Sequence, residues 1–137
     1  VDQITEQLFI GNHIEAHDWQ VLRDHGIQAI LSLDGSYVGK EEAVSDIKKI
    51  YAVELIDGPG NSIQSFEMLT RELIEMVKLY PPVLIHCHAG RSRSVATAAA
   101  YLVVQEKFEP AAAVEYVCTR RSSYLAPELE RLVYRLA

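Results

Sequence analysis

One tract, Val83 to Glu106, limits the folds open to this chain more than any other. Val83-Leu84-Ile85 is continuously apolar and short, so it reads as a buried strand, and it runs into His86. Cys87 to Ser92 is a compact polar loop with one glycine, Gly90. From about Arg93 to Glu106, Val95, Ala96, Ala98, Ala99, Leu102 and Val103 leave a helix apolar nearly all round, which requires burial. A buried strand feeding a buried helix through a short loop belongs inside a layered α/β structure.

The rest of the chain fits that frame. Leu8 to Ile10 predicts a strand closed by Gly11, and Asn12 can cap a helix running to about His25, with Trp19 and Leu22 on one face and Gly26 beyond its end. Ile27 to Leu33 predicts a second strand, ending at Asp34-Gly35. Gly35 to Lys49 reads as a polar surface loop with a short helix around Glu41 to Ile47. Ile50 to Ile56 alternates as a strand and stops at Asp57-Gly58-Pro59-Gly60-Asn61, a dense turn signal. Ser62 or Ser65 can cap the next helix, in which Phe66, Leu69, Leu73, Met76, Val77 and Tyr80 recur at helical spacing before Pro81-Pro82. Further helices are predicted from Pro110 to about Thr119 and from Pro127 to Leu136. The expected fold is α/β, a central, mostly parallel twisted sheet of four to five strands flanked by helices, with residues 1–137 forming a single domain.

Composition narrows the function classes. Of 137 residues, 49% are hydrophobic and 23% charged, so the chain can build a core without disulfide staples. A formal net charge of −6 gives little general attraction to nucleic acid or anionic lipid, and neither is an expected partner. Cys87 and Cys118 are too few for a disulfide scaffold and lack zinc-type spacing. No run approaches the roughly 18–20 apolar residues of a membrane span. No signal peptide precedes the first strand, and the expected compartment is reducing and cytoplasmic.

The chemistry concentrates in the 86–94 loop. Cys87 and Arg93 are spaced Cys-x5-Arg, a pair that chance would supply about one time in eight in a chain of this composition. Cys118 has Tyr124 at the equivalent offset, not arginine. The strand-loop-helix setting makes the difference. It gathers backbone N–H groups of His88, Ala89, Gly90, Arg91, Ser92 and Arg93 at a helix N-terminus, a nest that suits a phosphate dianion. Gly90 permits a tight backbone, and Arg93 offers a planar fork for two phosphate oxygens. The same positive field favours thiolate over thiol at Cys87, which would make it a nucleophile.

His86-Cys87-x5-Arg93-Ser94 between a strand and a helix resembles the signature of the cysteine-dependent protein phosphatases. The short chain, with its acid before its cysteine, is similar to the dual-specificity branch. Leu8-Phe9-Ile10-Gly11, His25-Gly26-Ile27 and the Arg120-Arg121 region extend the likeness along nearly the whole chain. The resemblance implies hydrolysis of protein phosphotyrosine and phosphoserine or phosphothreonine through a phosphocysteine, without metal or cofactor, by a monomer. It assigns Cys87 as nucleophile, Arg93 as the phosphate-binding arginine, Ser94 as the hydroxyl that steadies the departing sulfur, His86 as a support of the loop, and Asp57 as general acid. On physical grounds Asp34 is a rival acid, because it also ends a strand on the side where parallel sheets bind ligands. Two other classes compete: a module that binds phosphate without turnover, and a lipid, nucleotide or RNA phosphatase of the same superfamily.

The remaining polar residues receive plainer readings. Cys118 shares a helix face with Val114 and is expected in the core. His13, His17 and His25 read as surface or capping residues. Arg91 is either a solvated loop side chain or a cation that widens the positive mouth of the pocket and favours a second acidic group on the substrate. Asn61 and Ser62 read as turn and cap, with a lesser alternative of positioning the acid loop. Arg120 and Arg121 read as a solvated helix end. The Gly35 to Lys49 loop is expected to form one wall of the pocket.

Overall fold

The computed structural model describes residues 1–40 and 46–136. Five strands form one sheet: β1 (Asp2–Thr5), β2 (Leu8–Gly11), β3 (Ala29–Ser32), β4 (Lys49–Ala52) and β5 (Val83–His86). Their order is β1-β2-β5-β3-β4, with β1 antiparallel to β2 and every other pair parallel. Among the described residues six helices accompany them: α1 (His13–Ala16), α2 (Trp19–Asp24), α3 (Ile63–Leu79), α4 (Arg93–Val104), α5 (Pro110–Arg120) and α6 (Pro127–Arg135). The α/β architecture read from the sequence is the one observed.

Period-two alternation splits the sheet's side chains between two cores. Ala29, Leu31, Val83 and Ile85 face the larger one, with Phe66, Leu69 and Leu73 of α3, Val95 and Ala99 of α4, Val117 of α5 and Leu129 of α6. Ile30 and Leu84 face the smaller one, with Ala16 of α1, Leu22 of α2 and Tyr37. Central β5 is buried at all four positions, as a parallel strand covered on both faces must be. Ten of the twelve residues of α4 are buried, from Ser94 through Val103. In register, His86 lies beside Gly11 on one side and Ser32 on the other, so the loop after β5 opens among the C-terminal ends of its neighbours.

Several expectations need correction. β1 carries one fully buried side chain, Ile4, and its antiparallel pairing gives it an edge place that no apolar pattern announced. The helix expected from Asn12 to His25 is two short helices. Asp18 accepts hydrogen bonds from the N–H groups of Gln20 (2.9 Å) and Val21 (3.3 Å), and so starts a new helix where continuation was expected. β4 ends at Ala52, and beyond it Glu54 forms an isolated antiparallel bridge with Asp34. Cys118 is exposed, not in the core. α5 turns Ala113 and Val117 inward, which leaves position 118 past the edge of the buried stripe. Trp19 is 41% exposed while Leu22 is buried. The short helix expected around Glu41 to Ile47 falls largely outside the described residues. Among the described residues, no helix is long and apolar enough to cross a membrane.

Candidate active site

Where β5 ends, Cys87 sits 2% exposed at the base of an open cleft of about 350 Å³. Its Sγ lies 3.3 Å from the Ser94 hydroxyl, on the first turn of α4. The loop between them is shaped by its carbonyl groups. His88 O accepts from His13 N (2.9 Å), Ala89 O from Arg121 Nη2 (3.3 Å), Gly90 O from Arg121 Nε (2.8 Å), and Arg91 O from Tyr124 N (2.8 Å). Four consecutive carbonyls are thus held by groups outside the loop. In a trans peptide the C=O and the following N–H point in opposite directions. The amides of Ala89, Gly90, Arg91 and Ser92 therefore point away from those braces. Successive amides left free of those braces can form an anion-binding nest.

Gly90 is required at its position. Its φ is +70°, and a Cβ there would fall 2.4 Å from the Gly11 carbonyl oxygen and 2.5 Å from Arg121 Nη2. The loop lies so close to the end of β2 that only a hydrogen fits between them.

Arg121 is the residue that sequence reasoning missed. Expected as a solvated helix end, it is half-buried and bonds the carbonyls of Gly90, Ala89 and Ile10 (3.4 Å), with Asp2 Oδ2 3.1 Å from Nη1. One guanidinium ties the catalytic loop to β2 and to the residue that opens β1. Its neighbour Arg120 does behave as expected of a helix end, stacking at the surface over Tyr116. His13 is likewise more than a surface residue: its ring stacks on His88 at 4.0 Å, and its Nδ1 lies 2.9 Å from His88 O.

Asp57 reaches the cleft from the turn beyond β4. Its Oδ1 accepts a 2.6 Å hydrogen bond from Ser92 Oγ, and Ser92 Oγ accepts from Ala126 N at 3.0 Å, at the entry to α6. The Ala126 N–H occupies a lone pair of the hydroxyl, which directs the hydroxyl proton to Asp57. Asn61 closes the turn behind Asp57 by accepting from Ile56 N (3.0 Å) and donating to Ile56 O (2.7 Å). Asn61 is therefore the turn residue that was expected, and its bonds span the segment that carries Asp57. Ser62 is the α3 cap, accepting from Ser65 N.

Asp34 lies elsewhere. Its Oδ1 accepts from Ser36 N (3.0 Å), and its Oδ2 is 3.8 Å from Nδ1 of the fully buried His86. It does not line the cleft. Burial alone would raise the Asp34 pKa, but hydrogen bonds from Ser36 and the nearby His86 and Arg93 hold it below the usual carboxylate value. Burial lowers the His86 pKa, opposed by Asp34 and by the Cys87 carbonyl 3.2 Å from Nδ1. His86 is thus fully buried next to Cys87, between that carbonyl and Asp34.

Arg93 donates from Nη1 to Leu55 O at 3.3 Å, while its buried Nε has no partner among the described residues. An unsatisfied buried donor is costly, and a bound oxyanion would satisfy it. Arg91 and Tyr124 complete the cleft wall. None of the described residues of the Gly35 to Lys49 loop lines it, contrary to expectation. The wall comes from the segment after α5, which Arg91 anchors through its carbonyl.

Known proteins resemble this chain in sequence or in fold. The mouse protein named dual specificity protein phosphatase 19 is 32% identical over 124 residues, which are 90% of this chain. The chain spans 55% of that relative's length, and 11% and 32% of two other curated relatives. The fold is that of human DUSP28, with a TM-score of 0.86 at 20% identity, covering 99% of this chain and 94% of the other. A structure of PTPMT1 in complex with PI(5)P shares the fold as well, with a TM-score of 0.77 at 16% identity, covering 98% and 92% of the two chains. The family model described as "Dual specificity phosphatase, catalytic domain" matches residues 8–132, which run from β2 into α6. The chain therefore belongs to the dual specificity phosphatase catalytic-domain family.

Proposed function

We propose that this chain is a single catalytic domain that hydrolyses phosphomonoesters in proteins, at phosphotyrosine and at phosphoserine or phosphothreonine, through a phosphocysteine on Cys87. The observation that carries this reading is the convergence of Cys87, Arg93 and Asp57 on one cleft, with the Ser94 hydroxyl 3.3 Å from the sulfur. In the first step the Cys87 thiolate attacks phosphorus and the bond from phosphorus to the leaving oxygen breaks. Asp57 gives its proton to that oxygen. The loop amides and Arg93 hold the phosphoryl oxygens as charge redistributes. In the second step water attacks phosphorus and gives a proton to the Asp57 carboxylate. The P–S bond breaks, and Ser94 donates a hydrogen bond to the returning thiolate.

Protein substrates are favoured by the family and by curated relatives named as protein phosphatases. The reading requires no metal or cofactor, and it places a monomer in the cytoplasm, acting neither on nucleic acid nor at a membrane. The test is phosphate release from para-nitrophenyl phosphate with EDTA present, in the wild type and in Cys87→Ser. Turnover that persists with EDTA and disappears in Cys87→Ser supports the thiol mechanism. Specific binding of phosphopeptides without turnover would favour a phosphate-binding module instead. A panel of phosphotyrosine, phosphothreonine and inositol phospholipid substrates decides the class.

A further inference from the structure

Of the four carbonyls that shape the loop, His88 O is the one that, among the described residues, a single residue holds twice. His13 reaches it with its backbone N–H and with ring Nδ1, both at 2.9 Å. A carbonyl oxygen only accepts, so Nδ1 must carry a proton in this arrangement. The two donors fill both lone pairs of the oxygen. A second contact orients the ring, which stacks on the His88 imidazole at 4.0 Å with the planes 11° apart. The backbone beneath the ring is fixed as well. Asn12 Oδ1 accepts from Glu15 N and Glu15 Oε1 accepts from Asn12 N, both at 2.9 Å, a capping box that opens α1 at His13.

The peptide so held is the one that ends in the Ala89 N–H, the first of the amides left free of the loop's braces. A half-turn of that peptide would swing the N–H outward, carry the carbonyl toward the cleft and break both bonds to His13. An inward carbonyl would set a partial negative charge against a phosphoryl oxygen. We infer that His13 is a positioning residue for the phosphate nest, whose ring locks the His88–Ala89 peptide with its N–H toward the bound oxyanion. The inference rests on the proposed phosphatase reading and adds a residue to that same site. His88 and Ala89 line the cleft and His13 does not. It therefore acts through the peptide and touches neither substrate nor sulfur.

The test removes the ring donor and keeps the backbone N–H. His13→Phe retains an aromatic face for the stack but has no donor at the Nδ1 position, and His13→Leu is a second variant without the donor. His13→Asn places an amide N–H where Nδ1 stands and should rescue. Two quantities are measured: the Kd of tungstate, a phosphate-shaped dianion, by calorimetry in the Cys87→Ser background, where no chemistry occurs, and kcat/KM for para-nitrophenyl phosphate with Cys87 intact. Loss of one hydrogen bond should raise the tungstate Kd by roughly 3- to 10-fold in His13→Phe and His13→Leu, while His13→Asn stays within about twofold of its parent. In the same variants kcat/KM should fall at least as far. The Ala89 amide resonance should move downfield on tungstate binding in the parent and in His13→Asn, and much less in His13→Phe. A role in stability alone would lower the urea midpoint and leave the tungstate Kd and the Ala89 response unchanged. That result, or a loss in His13→Asn equal to that in His13→Phe, overturns the inference. Tungstate binding in the expected order, with no turnover in any Cys87 protein, would refute the phosphatase reading and uphold the role of His13.

Discussion

Ser92→Ala tests how the acid is held. The Ser92 hydroxyl is buried, donates to Asp57 Oδ1 at 2.6 Å and accepts from Ala126 N at 3.0 Å. Removing it deletes the hydrogen bond that orients the proton-carrying acid, worth about 0.5–1.5 kcal/mol, and leaves the Ala126 N–H without its acceptor. The Asp57 carboxyl then rotates freely at the moment when it must face the leaving oxygen. At about 1.4 kcal/mol per tenfold, the loss corresponds to roughly a 2- to 13-fold fall in kcat/KM. The fall should depend on the leaving group. Alkyl and phenyl phosphates need the proton and should show the full effect, whereas nitrophenyl phosphate leaves readily without it and should show little. The assay is kcat/KM across a series of aryl and alkyl phosphates, because kcat/KM reports the first chemical step. Ala126→Pro is the companion variant. Its φ of −63° already matches proline, so the change removes the N–H with little backbone strain. It should reproduce a milder form of the same pattern by freeing the hydroxyl proton from its direction. An equal loss on every substrate in Ser92→Ala would refute the argument and mark Ser92 as a phosphate-binding group only.

Three other outcomes are expected. Gly90→Ala forces a left-handed backbone costing about 1–2 kcal/mol and a 2.4 Å approach to Gly11 O; urea unfolding should show a loss larger than that, with activity reduced at least 100-fold, and near-normal activity would contradict the packing described. Arg121→Met keeps the stem and removes the braces to the Gly90, Ala89 and Ile10 carbonyls, so kcat/KM should fall with the melting temperature, and full activity would show that the loop holds its shape unaided. His86 titrates below its ordinary value because burial penalises the imidazolium. The unfolded chain therefore takes up this proton first as pH falls, and the stability from keeping His86 neutral is complete above about pH 6.5 and lost below it. His17 is shifted in the same direction, chiefly by burial. The urea midpoint should decline between about pH 7 and pH 5, less steeply in His86→Gln, and an identical slope in the variant would remove His86 from the account.

Some of this protein was legible from residue order because the signals were local. The alternation of apolar runs with helical periodicity predicted the layered sheet, and the buried character of α4 followed from its own composition. Asp18 was equally local, a cap-forming side chain in the middle of an expected helix, and it carried a readable signal for two helices that the apolar spacing obscured. β1 had no such signal, since only Ile4 turns inward and the strand exists because β2 offers it an edge. Cys118 shows the limit of face-counting, because one residue past Val117 the helix surface passes out of the core.

By itself, the sequence determined the local frame of the candidate site: a cysteine and an arginine on either side of a glycine-bearing turn, between a buried strand and a buried helix. Tertiary structure decided which distant groups serve it. Asp57 and Asp34 both follow strands, yet only Asp57 meets Ser92, while Asp34 is spent on His86. Arg121 lies 31 residues from Gly90, and no periodicity connects them. It reaches the loop because α5 packs against α4 and sets the arginine just past its end against the loop carbonyls and the end of β2. Contacts between residues far apart in the chain depend on how whole elements pack, and that packing carries no local signature.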